Sequence, residues 1–178
     1  LEEKFEDINK PLLITVDSGI TSVDEVEYAK QKGFDVIITD HHQKPEDLPE
    51  AKAIVWTDQM VGAGIAWTLG KLLRSKDKRL LGLAALATVT DLQPLFDYNR
   101  SIVKEGLEIL NKKPLPGIKA LRKVAGRDKG EITTYDLGWV LGPRINASGR
   151  IDDAESALAL LLEDYFNKSF DFAKRLNE

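Results

Sequence analysis

At 178 residues with 43% hydrophobic content, the chain is long enough to bury one compact core, or a core with an appended helical lobe, and this excludes disorder as the default. No apolar run approaches the roughly 18–20 residues that span a bilayer, the opening LEEKFEDINK is charged where a signal peptide is basic and then apolar, and zero cysteines exclude disulfides and thiolate metal sites, so a soluble, cytoplasmic protein is expected. The formal charge of −4 conceals a segment from Arg100 to Gly130 with nine Lys/Arg against three acids, either a solvated face or a footprint for a polyanion.

LLITV (12–16) is a short, partly β-branched apolar run that stops at Asp17, and it is expected to be a buried strand. Ser22 and Glu25 have the spacing of a capping box, Val23, Val26 and Ala29 recur at helical intervals, and Gly33 supplies a stop, which together predict a helix. FDVIIT (34–39) repeats the first pattern and ends at Asp40. Strand, helix and strand in so short a span require parallel strands joined by a crossover. Parallel strands finish on the same edge of a sheet, so Asp17 and Asp40 are predicted to emerge together at the carboxyl edge, where ligands of open α/β sheets bind. AKAIVW (51–56) reads as a third strand and VGAGIAWTLGKLL (61–73) as a helix packed closely through its small residues. From Arg79 onward the pattern is helical: 79–91, 99–110, a helix started by Pro116, 133–142 and 152–178. The fold class expected is α/β, a parallel sheet with flanking helices, followed by a mostly helical C-terminal part.

TDHH (39–42) holds both histidines of the chain, side by side and directly after an acid. Imidazole and carboxylate ligands suit Mn, Mg, Fe or Zn, and several acids with one or two imidazoles are how two-metal phosphoryl-transfer sites are built. The candidates are Asp17, Asp40, His41, His42 and Asp91. On extended backbone, neighbouring side chains point to opposite faces, so one histidine is expected to bind metal while the other faces a substrate phosphate as hydrogen-bond donor or general acid. Residue by residue, the alternatives are a turn or capping role for Asp17, orientation of the His41 ring by Asp40, and capping by Asp91 ahead of Pro94.

VDSG (16–19), TDHH (39–42), VTDLQPL (89–95) and LGPRINASGRIDD (141–153) occur in that order. The set closely resembles the DHH phosphoesterase superfamily and, within it, the RecJ-like branch of single-stranded-DNA exonucleases. LGPRINASGR is the stretch that points to that branch, and GAGIAW (62–67) and the pair Asn99-Arg100 are similar to it as well. The resemblance implies a metal-dependent nuclease of DNA repair and recombination that uses two Mn²⁺ or Mg²⁺ ions and releases mononucleotides from the 5′ end of single strands. By the same resemblance Asp17 is a bridging or shared metal ligand, His41 a ligand, Asp40 a ligand or its close support, and Asp91 the fourth-motif ligand; His42 contacts the scissile phosphate, and His42 and Asp91 are the catalytic pair. Arg144, Asn146 and Arg150 then offer donors to phosphate oxygens, and Arg100, Lys119, Arg122 and Lys123 hold the strand by its backbone.

Residues 1–95 are expected to form the metal-binding α/β part and 96–178 the helical part of the same domain, leading into a connector helix toward a second domain. The family's first motif, an upstream Asp-x-Asp, its second domain and part of the loop between Trp56 and Val61 have no counterpart in this sequence, so a core fragment that holds metal weakly is expected. The partners implied are single-stranded DNA or RNA and single-strand-binding or replication and repair proteins, with no membrane. Two other readings remain: a DHH phosphoesterase for small substrates such as oligoribonucleotides, cyclic dinucleotides or pyrophosphate, which has no need of a long basic track, and a non-catalytic replication scaffold, which has no use for the acid and imidazole cluster.

Overall fold

A strand needs one pleat face covered, and the helix between the first two apolar runs provides the cover. In the computed structural model, which describes residues 10–148 and 154–177, β1 (Leu12–Val16), β2 (Asp35–Asp40) and β3 (Ala53–Trp56) form a parallel sheet in the order β1-β2-β3. The register pairs Leu12 with Asp35 and Val16 with Thr39 in the first ladder, and Asp40 with Trp56 in the second. Between β1 and β2 runs α1 (Val23–Gln31), which packs Val26 and Ala29 with Leu13, Val36, Ile38 and Ile54. The helix closes in a Schellman arrangement: Gly33, at φ 85°, donates its N–H to Lys30 O at 2.9 Å, and Phe34 donates to Ala29 O at 3.0 Å. Its start departs from expectation. Ser22 occupies the N-cap, but at φ −87° and ψ 60° it is outside the extended conformation that capping uses, and its side chain makes no cap hydrogen bond.

The expectation of a buried β1 is corrected by the structure. Among the described residues β1 lies at an edge of the sheet, and the pleat puts Leu12, Ile14 and Val16 on the face away from Leu13, where all three are exposed. Through the register, Val55 of β3 shares that face and is exposed too. An unbroken apolar run carries no record of which half of its pleat is covered. After β3 comes α2 (Gly62–Leu72).

Compactness divides the chain into Leu1–Ser75 and Lys76–Glu178, whereas the metal motifs grouped 1–95 in the sequence reading. In the second unit α3 (Arg79–Thr90) and α4 (Asp97–Lys112) approach through glycine: a Cβ added at Gly106 would lie 2.3 Å from the Ala85 Cβ and 2.8 Å from Leu81 O. Gly106→Ala is therefore expected to cost about 1–3 kcal/mol by overpacking. A urea melt checks this, and an unchanged midpoint would remove the close-approach account. Next, α5 (Pro116–Val124) begins at its proline as expected, and the core gathers Leu110, Ile118, Leu121, Leu137, Leu141 and Leu160.

The stretch 133–142, expected to be ordinary helix, is π-helical over Asp136–Leu141 and runs on into α6 (Gly142–Ser148). The buried carboxylate of Asp136 anchors its start, accepting from Thr133 N–H at 2.9 Å, Thr133 Oγ1 at 2.8 Å and Arg127 Nη2 at 3.1 Å. Burial pushes this carboxyl up, yet the donors from Thr133 and Arg127 outweigh burial and hold it below the usual carboxylate range. The helix expected over 152–178 is two helices, α7 (Ala154–Leu162) and α8 (Phe166–Arg175). The break falls where Tyr165 turns extended and donates its N–H to Glu163 Oε1 at 2.9 Å. Among the described residues no helix is long and apolar enough to cross a membrane.

Candidate metal centre

The site begins where β1 and β2 run out. Asp17 follows β1 directly, at φ 61°, and its N–H reaches across to Thr39 O at 2.9 Å, so the first ladder continues into the site. A left-handed backbone is uncommon for a residue with a Cβ, although aspartate and asparagine tolerate it better than most. The carboxylate of Asp17 lies against the first turn of α2: a Cβ at Gly62 would be 2.2 Å from Asp17 Oδ1. Only glycine leaves room for the acid there, and the positive end of the α2 dipole favours its charge. GAGIAW stood out in the sequence for its small residues, but nothing in it revealed that Gly62 accommodates Asp17.

Asp40 closes β2 with its side chain 1% exposed. Its Oδ2 accepts the Ile20 N–H at 2.9 Å, and its Oδ1 accepts the His41 N–H at 2.7 Å, the His42 N–H at 3.2 Å and the His42 ring Nδ1 at 2.7 Å. Burial pushes the Asp40 carboxyl up, but the His42 ring and the three backbone N–H groups outweigh it and hold the acid below the usual carboxylate range. An ionised carboxylate can only accept, so the proton of this bond sits on Nδ1 of His42, and Nε2 is the ring atom turned to other partners. Of the two roles left open for Asp40, this geometry matches support, and the ring it supports is that of His42.

The expectation that the two imidazoles point apart is overturned. Their ring centroids are 4.5 Å apart, and Asp17, His41 and His42 each bring one potential ligand atom within 4.8 Å of the others. Strand alternation does not apply here because β2 ends at Asp40, whose Oδ1 draws in both histidine amides and turns the chain. His41 Nε2 is 3.1 Å from Asp17 Oδ1 with its side chain only 11% exposed, whereas His42 is 58% exposed. Trp56, which pairs with Asp40 in the ladder, donates its indole N–H to His42 O at 2.7 Å and carries Lys44 Nζ 4.0 Å above its ring. A carboxylate and an imidazole, with a second imidazole beside them, make a borderline-hard donor set that fits a divalent ion such as Mn²⁺ or Mg²⁺.

The other sequence candidates lie in the second unit. Asp91 is the C-cap of α3, its N–H bonded to Ala87 O at 2.9 Å and its Oδ2 accepting Gln93 Nε2 at 3.3 Å. Arg100 and Lys119 are exposed on α4 and α5. Arg122 is turned inward on the 127–130 loop, donating Nη2 to Gly130 O at 2.9 Å. Lys123 stands over the rings of Phe166 and Phe170, at 5.7 Å and 5.3 Å. Arg144 donates Nε to Asn177 Oδ1 at 2.7 Å and Nη1 to Val140 O at 2.8 Å, which ties α6 to its surroundings. Asn146 borders a cleft on the same helix, and Arg150 lies outside the described residues.

Comparison with known proteins agrees with the motifs. Residues 2–88 match the model of the DHH family, N-terminal domain. The chain is 43% identical over 179 residues to the single-stranded-DNA-specific exonuclease RecJ of Bacillus subtilis, covering 93% of this chain and 23% of that protein. Against the protein of the same description from Escherichia coli it is 38% identical over 192 residues, covering 93% of this chain and 33% of that one. Among solved structures, RecJ in complex with Mn²⁺ from Thermus thermophilus superposes with a TM-score of 0.84 at 31% identity, over 98% of this chain and 28% of that chain. An exonuclease RecJ bound to manganese gives 0.82 at 31% identity, over 98% of this chain and 47% of that one. The chain thus spans 23% and 33% of the lengths of these two curated relatives. With the acids of two parallel strands and both imidazoles at one sheet edge, and with a family match across that sheet, residues 2–88 belong to the DHH family, N-terminal domain.

Proposed function

We propose that this chain is the catalytic core of a metal-dependent exonuclease that hydrolyses the phosphodiester bonds of single-stranded DNA from the 5′ end. The observation that supports this most directly is the convergence of Asp17, His41 and His42 at the carboxyl edge of the sheet, in a chain similar along 93% of its length to RecJ proteins described as single-stranded-DNA-specific exonucleases. Residues 1–95 supply the metal motifs in this reading and 96–178 the helical remainder. A divalent cation, Mn²⁺ or Mg²⁺, would supply neutralisation of the charge that builds on phosphoryl oxygens, and a second ion would complete the pair in the whole protein. Asp17 and His41 hold the first ion. Asp40 would act as close support, fixing the His42 ring through Nδ1 and leaving Nε2 to meet the scissile phosphate.

Asp91 is proposed as the fourth-motif ligand. Arg100, Lys119 and Lys123 hold the strand by its phosphates. Arg122, Arg144 and Arg150 carry the same assignment from the motifs, with Arg122 and Arg144 acting partly through the loop and helix they brace. Backbone contacts of this kind carry little base preference and weaken steeply as salt rises. The setting proposed is the cytoplasm, alongside single-strand-binding and repair proteins, with RNA as an alternative strand.

The test is digestion of 5′-labelled single-stranded DNA by the complete gene product with Mn²⁺, comparing wild type with Asp91→Ala and His42→Ala. Release of labelled mononucleotide by the wild type and its loss in both variants is the expected result. Equal digestion by all three removes the assigned roles. Cleavage of a dinucleotide with the long strand left intact makes the protein a small-substrate phosphoesterase instead.

A further inference from the structure

A cleft of about 610 Å³ opens beside the end of α3 in the second unit, bordered by Val89, Leu92, Thr134, Tyr135, Trp139 and Asn146 among its residues, and of these only Asn146 carries a role from the motifs. Leu92 is 86% exposed, Trp139 73% and Tyr135 59%. Large apolar side chains gathered in one concavity and left facing water mark a binding surface more often than chance exposure. Tyr135 and Trp139 are four residues apart, which puts them on one face of a helical turn, and that turn is π-helical, a distortion found frequently at functional sites.

The walls are fixed from behind. A Cβ at Gly142 would lie 2.1 Å from Thr90 Cγ2 and one at Gly138 would lie 3.3 Å from Val89 Cγ1, so the turn sits directly on the end of α3. Arg127, held by the buried Asp136, stands 6.0 Å from the centre of the Tyr135 ring.

We infer that this cleft receives a nucleobase of the single-stranded substrate, stacked on Trp139 and Tyr135 with the Asn146 amide at its edge. The inference rests on the nuclease reading. Aromatic planes stack on any base, and an amide offers both a donor and an acceptor to a base edge. The volume is that of a small-ligand pocket, and it is far from the broad patch a protein partner needs. Leu92 is the residue after Asp91, so the cleft begins one position along the chain from the fourth-motif acid. The basic segment supplies phosphate contacts, and the aromatic pair adds the contact to bases that those lysines and arginines lack.

Equilibrium binding of fluorescein-labelled oligothymidylate is compared with that of an abasic phosphodiester strand of equal length, in the complete gene product and with chelator present so that neither is cut. The wild type is expected to prefer the base-bearing strand. Trp139→Ala should weaken oligothymidylate binding about tenfold and leave the abasic strand unaffected, with Trp139→Phe recovering most of the preference. Trp139→Phe also keeps the comparison decisive if the alanine variant unfolds. Equal affinity of the wild type for the two strands, an equal loss on both in the variants, or no loss at all overturns the assignment; the last is what a protein segment seated on Trp139 would give. A wild type that binds no strand defeats the nuclease reading along with the cleft, whereas strand digestion without base preference defeats the cleft alone.

Discussion

Replacing Asp17 with asparagine is expected to lower Mn²⁺ affinity roughly a hundredfold or more and strand hydrolysis about a thousandfold or more, with the fold intact. The separation from folding follows from the backbone. Asp17 sits at φ 61°, where asparagine is the best-tolerated residue after glycine, and its N–H bond to Thr39 O is made by the main chain and survives the substitution. The change removes one negative charge from the face that meets His41 Nε2 at 3.1 Å. Titration calorimetry with Mn²⁺ and a thermal melt read the two effects independently. An Asp17→Asn protein that binds Mn²⁺ and digests strands like the wild type would end the assignment of this cluster as the metal centre, and so would a large fall in melting temperature, which would mark Asp17 as structural.

Asp40→Asn should behave in the opposite way, losing stability first. Whichever way the new amide is turned, its NH₂ meets an N–H donor: Ile20 on one side, or His41, His42 and the His42 ring on the other. Buried donors left without an acceptor cost the desolvation of each, so the substitution is expected to remove about 2–4 kcal/mol. Activity falls as well, because the His42 ring loses its orienting partner. The wild type carries a matching acid sensitivity. The folded-state pKa of Asp40 is held below its ordinary value of 3.8, so its contribution is present above that pH and is lost as pH falls from there through the lower folded value. In urea melts the gap between wild type and variant should narrow as pH falls from neutrality toward 3. Parallel curves across that range would show that Asp40 contributes no such linkage.

The placement of the site was legible because it depends on topology alone. Two apolar runs flanking one helix dictate parallel strands, and parallel strands deliver Asp17 and Asp40 to a shared edge. What lay beyond reading was every feature decided by a side chain capturing backbone from elsewhere. The two histidines converge because Asp40 Oδ1 gathers both of their amides, and strand alternation holds no hint of that. Gly62 reads as a packing glycine until its distance to Asp17 is known. In the second unit, helical periodicity identified 133–142 correctly as coiled, yet the widening to a π turn depends on how Gly138 and Gly142 seat against α3. The break before α8 depends on a local bond from Tyr165 to Glu163 in a run whose residue types suit a helix throughout.

The bare stripe of Leu12, Ile14, Val16 and Val55 also bears on how the protein behaves in a tube. Branched side chains on an edge strand are adhesive toward one another in neighbouring molecules. Those four positions are therefore where self-association at high concentration is expected to start, and Ile14→Lys, on an edge strand among the described residues, is the change expected to lower it.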